Sequence, residues 1–183
     1  SEAFVQRFMA GCVRVEDGGA PLIENIEHCV VRAPASGKDV VLARFIEQET
    51  TGRVLVYANE PRLQSHLFHF LRKHGIPTAT LNRERTKGQR ARALRAFRKR
   101  EARALLVTDA TGRGIDVPGI DWVLHYSLPR GPEAYVHRAG RTGRAGRSGR
   151  SVLFVEPGER GHVARLVERL SLTALPWPGR DGR

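Results

Sequence analysis

A chain of 183 residues suits one domain and can bury roughly 70% of the surface its unfolded form exposes, so an independent core is within reach. Hydrophobic residues make up 40% and charged residues 27%, and no apolar run approaches the ~20 residues of a bilayer-spanning helix, which argues against a membrane role. A count of 31 Lys and Arg against 19 Asp and Glu leaves a formal charge of +12, and such a surface attracts polyanions, nucleic acid first among them.

Phe4, Val5, Phe8 and Met9 have a helix-like spacing that stops at Gly11, followed by Cys12-Val13-Arg14-Val15 and the turn signal Asp17-Gly18-Gly19. The first residues lack the continuous apolar core of a secretory signal. Cys12 and Cys29 give neither a metal-ligand spacing nor a disulfide framework, so a reducing, intracellular and cytoplasmic setting is expected. Residues 24–32, ENIEHCVVR, mix alternation with β-branched residues as an edge strand does, and Pro34 ends them. Val40, Val41, Leu42, Phe45 and Ile46 predict a helix over 38–49. The nearly all-apolar run 53–58 predicts a parallel strand covered on both faces. Leu63, Leu67, Phe70 and Leu71 stripe a further helix that ends at Gly75.

His66, His69 and His74 lie in or beside that helix without the four-residue spacing or the carboxylate and cysteine neighbours of a metal site, and read as a solvated face. Residues 77–81 predict a strand and 86–100 a helix with Ala93, Leu94 and Phe97 inward and a dense basic surface outward, of which Lys87 and Arg90 lie near the helix start. Strands over 103–108 and 121–126, a short helix from Pro132, a strand over 151–155 and a helix striped by Val163, Leu166, Val167 and Leu170 complete the series. The fold expected is α/β, a parallel sheet between helices. Residues 171–183 lack periodicity and read as a flexible tail.

Two segments resist explanation by packing. Leu105 to Pro118, LLVTDATGRGIDVP, is a buried strand that delivers a polar, glycine-containing loop, and open α/β sheets bind ligands beyond the carboxyl ends of their strands. His137 to Gly146, HRAGRTGRAG, alternates arginine with glycine. Its Arg141 and Arg144 stand three apart and can direct planar donor forks at one phosphate. Arg138, Arg141, Arg144, Arg147 and Arg150 recur every third residue, a period that leaves the segment's conformation open.

In this order and about thirty residues apart, TDATGRGIDVP and HRAGRTGRAG resemble motifs V and VI of superfamily 2 helicases, and the His-Arg start of the second resembles the DEAD-box RNA helicases in particular. The resemblance implies that residues 21–170 are the C-terminal one of two RecA-like domains that close over ATP and bind single-stranded RNA, and that residues 1–20 are the tail of a preceding domain and its linker. It implies arginine fingers at Arg141 and Arg144, an ATP site that includes Arg113, Gly114, Asp116 and His137, and RNA contacts from Asn59, Lys87, Arg90, Thr108 and Gly112. The partners implied are RNA and the N-terminal RecA-like domain of the same protein, which would hold Mg2+. Three departures stand out: Asn82-Arg83-Glu84 where the family has His-Gly-Asp, Lys87 where it has glutamine, and Gly112 where alanine is common.

The 183 residues contain no GxxxxGK[ST] phosphate loop, no Asp-Glu-Ala-Asp segment and no Ser-Ala-Thr segment, so this chain alone is expected to be inactive as an ATPase. A non-catalytic RNA clamp and a DNA-directed superfamily 2 helicase are the competing readings.

Overall fold

The structure, a computed structural model, describes residues 7–14 and 25–172. Seven strands form one sheet in the order β1-β2-β7-β6-β3-β5-β4. They are β1 (Met9–Arg14), β2 (Ile26–Arg32), β3 (Arg53–Tyr57), β4 (Thr78–Thr80), β5 (Ala104–Val107), β6 (Ile120–His125) and β7 (Gly149–Val155). Every adjacent pair runs parallel except β1 with β2. The helices are α1 (Lys38–Glu49), α2 (Pro61–Lys73), α3 (Lys87–Arg98), α4 (Asp109–Gly112), α5 (Pro132–Ala139) and α6 (Arg160–Arg169).

Because side chains alternate along a strand, the buried run of β3 feeds two cores at once. Val54 and Val56 face α1 and α2, where Leu42, Phe45, Ile46, Leu67 and Leu71 are fully buried. Leu55 and Tyr57 face the other way, toward Phe97 of α3. Tyr135 of α5 and Val163 and Leu166 of α6 extend that second layer over β2 and β7. Phe45 meets the rings of Trp122 and Phe154 edge-on, at centroid distances of 5.6 and 5.4 Å, which fastens α1 to β6 and β7. The last carbonyls of α1 need outside donors, and Arg103 supplies them from the start of β5 by bonding Ile46 O at 2.9 Å and Thr50 Oγ1 at 2.8 Å.

Three expectations are corrected. Residues 26–32 are an interior strand, not an edge: β1 pairs with them antiparallel, and five of the seven are buried. Met9 to Arg14, expected partly in a helix and partly in a linker, form that covering strand; the remainder of the expected N-terminal helix, except Arg7 and Phe8, lies outside the described residues. Cys12 and Cys29 stand opposite each other in this pairing with Cα atoms 4.0 Å apart, and their sulfurs are bonded. A separation of 17 residues could not reveal that register, because the sequence between the two strands is longer than the two-residue hairpin loop that would fix it. The expected tail lies outside the described residues beyond Leu172, which is itself buried against α6.

Candidate functional site

The carboxyl ends of β3, β5 and β6 open into a cleft of about 790 Å³. Asn59 follows β3, Thr108 follows β5, and Ser127 follows β6, so three parallel strands deliver polar residues to one place. Thr108 caps α4: its hydroxyl accepts from Thr111 N at 3.1 Å, and the Thr111 hydroxyl lies 2.9 Å from Thr108 N in return. Asn59 Oδ1 accepts from Asp109 N at 3.3 Å, which ties the β3 loop to the start of α4.

At the floor of the cleft lies Arg138, only 1% exposed. Its Nε and Nη2 donate to the two oxygens of Asp109 at 2.6 and 2.7 Å, and Nη1 donates to Ser127 O at 2.7 Å. The guanidinium lies 4.6 Å from the centre of the Tyr57 ring. Burial would raise the Asp109 carboxyl, but the hydrogen bonds and charge of Arg138 outweigh it and hold the group below the usual carboxylate range. Burial pushes the Tyr57 hydroxyl up to about 12, so it stays neutral.

Arg138 also heads a chain of bonds through the interior. Its Nη1 stands 3.5 Å from His125 Nδ1, and because arginine only donates, that nitrogen accepts and the ring carries its proton on Nε2. The sequence then runs from His125 Nε2 to Ser151 Oγ at 2.8 Å, from Ser151 Oγ to Tyr135 Oη at 3.1 Å, and from Tyr135 Oη to His28 Nδ1 at 2.6 Å. Burial first, then the charge of Arg138, pushes His125 well below its ordinary value, so the ring is neutral.

The five arginines spaced by three meet five different fates, because residues 140–148 follow an irregular path of turns and bends. Arg138 is buried on Asp109. Arg141 is half-buried at the cleft wall, where its Nε bonds His137 O at 3.3 Å. Arg144 is exposed outside the cleft lining with Nε on Gly140 O at 2.6 Å. Arg147 reaches Asp121 at 3.5 Å, and Arg150 stands 3.9 Å from Glu27 and covers the Trp122 ring. Among the described residues the outer nitrogens of Arg141 and Arg144 have no carboxylate partner.

Glycines shape the same turn. Gly143 has φ +67°, and a Cβ there would stand 2.7 Å from Ile26 Cγ1. A Cβ on Gly149 would strike the Thr142 hydroxyl, which is buried and bonds Ile120 O at 2.5 Å.

Of the residues singled out from sequence, Asn59, Thr108, Gly112, Arg113, His137 and Arg141 line this cleft. Lys87, Arg90, Gly114 and Asp116 line a neighbouring cleft between α3 and the loop after α4, with Arg113 shared between the two. All four are exposed. Gly112 has a local reason: a Cβ would lie 2.8 Å from Tyr57 Oη, so the tyrosine occupies the space an alanine methyl would need. Asn82 is buried, donates to Gln64 Oε1 at 3.2 Å and accepts from Glu84 N at 3.1 Å, which shapes the loop before α3. Sequence reasoning gave no role to Asp109 or Arg138, although both sit inside the quoted motifs; their adjacency to the named residues was the only available signal. It had no route to His125, Ser151 and Tyr135, which lie on separate elements.

The family described as "Helicase conserved C-terminal domain" matches residues 37–146. The ATP-dependent RNA helicase MAK5 of Phaeosphaeria nodorum is 31% identical over 157 residues, 86% of this chain and 19% of the relative. This chain spans about a fifth of the length of the first curated relatives it matches. Among solved structures, the Escherichia coli DEAD-box protein SrmB, bound to regulator of ribonuclease activity A, superposes with a TM-score of 0.71 at 29% identity, covering 75% of this chain and 82% of that one. The RNA helicase Prp28 from Chaetomium thermophilum, bound to ADP, gives 0.71 at 30% identity over 81% of this chain and 37% of that one.

Proposed function

Because this chain belongs to the helicase C-terminal domain family of DEAD-box ATP-dependent RNA helicases, we propose that it is the second half of an RNA-remodelling ATPase whose first half binds ATP. The observation that carries the reading is the division of labour among the cleft arginines. Arg138 is fully consumed by Asp109, Ser127 and Tyr57, so Asp109 is neutralised and the cleft keeps a positive balance. Arg141 keeps its outer nitrogens for a ligand, as does Arg144 from solvent.

That donor set fits a phosphate, and ATP supplies the phosphoryl group that is transferred. In this reading Arg141 and Arg144 neutralise charge gathering on the γ-phosphate, an effect worth ~10³ to 10⁵ in rate in related NTPases. Asp116 accepts hydrogen bonds from the ribose, and Arg113, Gly114 and His137 shape its surroundings. Mg2+ falls to the other domain, since the Asp109 carboxylate is already taken. The capped Thr108, with Asn59, Gly112, Lys87 and Arg90, tracks RNA phosphates, contacts that position a strand and read little sequence. An intracellular setting is proposed from such substrates alone, since the bond between Cys12 and Cys29 removes the cysteine argument for it.

The test uses the full two-domain protein. Arg141→Lys and Arg144→Lys are each expected to cut RNA-stimulated ATP turnover steeply, while RNA affinity without nucleotide stays within about twofold, because lysine keeps the charge and loses the fork. Turnover unchanged within about twofold in both variants, with RNA affinity lost in the alanine variants, would mean a clamp instead. Stimulation by DNA in place of RNA would reassign the substrate.

A further inference from the structure

The sheet has two edges of different character. At one, β1 covers β2 and is bonded to it through Cys12 and Cys29. At the other, β4 pairs with β5 alone among the described residues. Pro77 O accepts from Arg103 N at 2.8 Å and Leu81 N donates to Leu106 O at 2.8 Å, so the odd positions of this strand turn their backbone groups inward. The alternation leaves the N–H and C=O of Thr78 and Thr80 facing outward. No hydrogen bond within the described residues satisfies them.

That edge is the floor of a cleft of about 530 Å³, separate from the two described above, with Thr78 and Thr80 only 4% and 3% exposed at its bottom. One wall is α2, which contributes Phe68 and Arg72; the other is α3, which contributes Arg92, Ala93 and Ala96. Arg72 and Arg85 flank the Phe68 ring at 5.2 and 6.0 Å. Among the described residues Arg72, Arg85 and Arg92 have no carboxylate partner, although Glu101 also lines the cleft. The result is a slot of mixed apolar and polar lining with a row of unmet backbone donors and acceptors at its floor and three arginines without a carboxylate partner among the described residues at its rim.

We propose that this slot is a docking site for an acidic polypeptide segment that adds to β4 as an eighth strand. An extended backbone offers donors and acceptors in the alternation that Thr78 and Thr80 present, and carboxylates flanking it meet Arg72, Arg85 and Arg92. Single-stranded RNA answers the cations and the N–H groups but sets phosphates against the outward carbonyls. A second copy of this chain is disfavoured by the net charge of +12. The acidic segment 15–24, with Glu16, Asp17 and Glu24, is tethered to β1 and β2. Five strand spacings, roughly 24 Å, separate β2 from β4, beyond the ~20 Å that a doubly tethered segment of this length reaches. Segment 15–24 is therefore not the occupant, and the occupant proposed is a separate acidic polypeptide.

The experiment mixes the 183-residue chain with capped nonapeptides carrying two aspartates at each end and a randomised five-residue centre, and reads amide exchange residue by residue. Peptides recovered from the pool are expected to slow exchange at Thr78 and Thr80 by about tenfold, and to bind about tenfold more weakly to an Arg72→Glu/Arg92→Glu variant, a loss of about 1.4 kcal/mol. Lysines in place of the aspartates, or a proline at the peptide centre, should abolish the protection. Three results overturn the proposal: no peptide protects these amides; oligouridine protects them and competes, which makes the slot an RNA track; or they are protected without peptide in a self-associated chain.

Discussion

At the scale of single residues, the interior of this domain depends on one neutral histidine. His125 accepts from Arg138 and donates to Ser151, roles that require a single proton on its ring. A second proton would place a cation beside a guanidinium out of contact with water. Its folded value lies well below 6.5, so between that value and 6.5 the unfolded chain binds more protons than the folded one. Stability therefore rises with pH up to about 6.5 and falls on acidification by about 1.4 kcal/mol per unit below it. Urea midpoints between pH 5 and 7 are expected to show this slope in the native chain and a flatter one in His125→Gln. Parallel slopes in the two would show that another group carries the effect. The Asp109 carboxylate works in the same direction at lower pH, since its stabilisation is lost as the pH falls through its depressed folded value. None of this was legible in the sequence: His125 read only as the end of an apolar strand. Gly112 was visible as a departure, but its compensating Tyr57 lies 55 positions earlier and belongs to another strand.

At the scale of elements, the chain declares itself where one physical signal dominates. The apolar run of β3, buried on both faces, and the stripe of α1 were both readable because the hydrophobic period and the element coincide. The period failed at the N-terminal end, where Phe8 and Met9 prolong a helical spacing while Met9 is already committed to β1; pairing with β2 decides that conformation, and pairing is not a local property. The helix α3 lies between these cases. Only Phe97 is fully buried on it and its surface is crowded with like charges, so its termini matter more than usual. Thr86 accepts from Gln89 N at 3.2 Å while Gln89 Oε1 accepts from Thr86 N at 2.9 Å. Replacing Thr86 with alanine is expected to cost about 1 kcal/mol in urea denaturation and to speed amide exchange over the first turn. That change would also loosen Lys87 and Arg90, which begin the helix.

At the scale of the whole molecule, an excess of 12 positive charges makes a general attraction for nucleic acid unavoidable, and geometry decides how much of it is organised. One domain offers part of a phosphate track, so this chain is expected to bind single-stranded RNA weakly, with an affinity that falls linearly in log–log terms with salt at about −0.7 per phosphate contacted. Fluorescence anisotropy at several salt concentrations checks this, and an affinity indifferent to salt would point to base stacking instead. The two motifs that identified the family were legible because each is contiguous. The cleft that joins them was not, since it is assembled by β6, β3 and β5, whose side-by-side order in the sheet is not their order in the chain.

The anchoring of the arginine and glycine segment has a mechanical side. Its second residue, Arg138, is bolted to α4 by Asp109, Thr142 is pinned to the β6 backbone, and Gly149 closes on Thr142 from β7. Arg141 therefore sits between two anchors, Arg138 on α4 and Thr142 on β6, so a displacement of α4, the element whose cap is Thr108, is expected to be felt at its guanidinium.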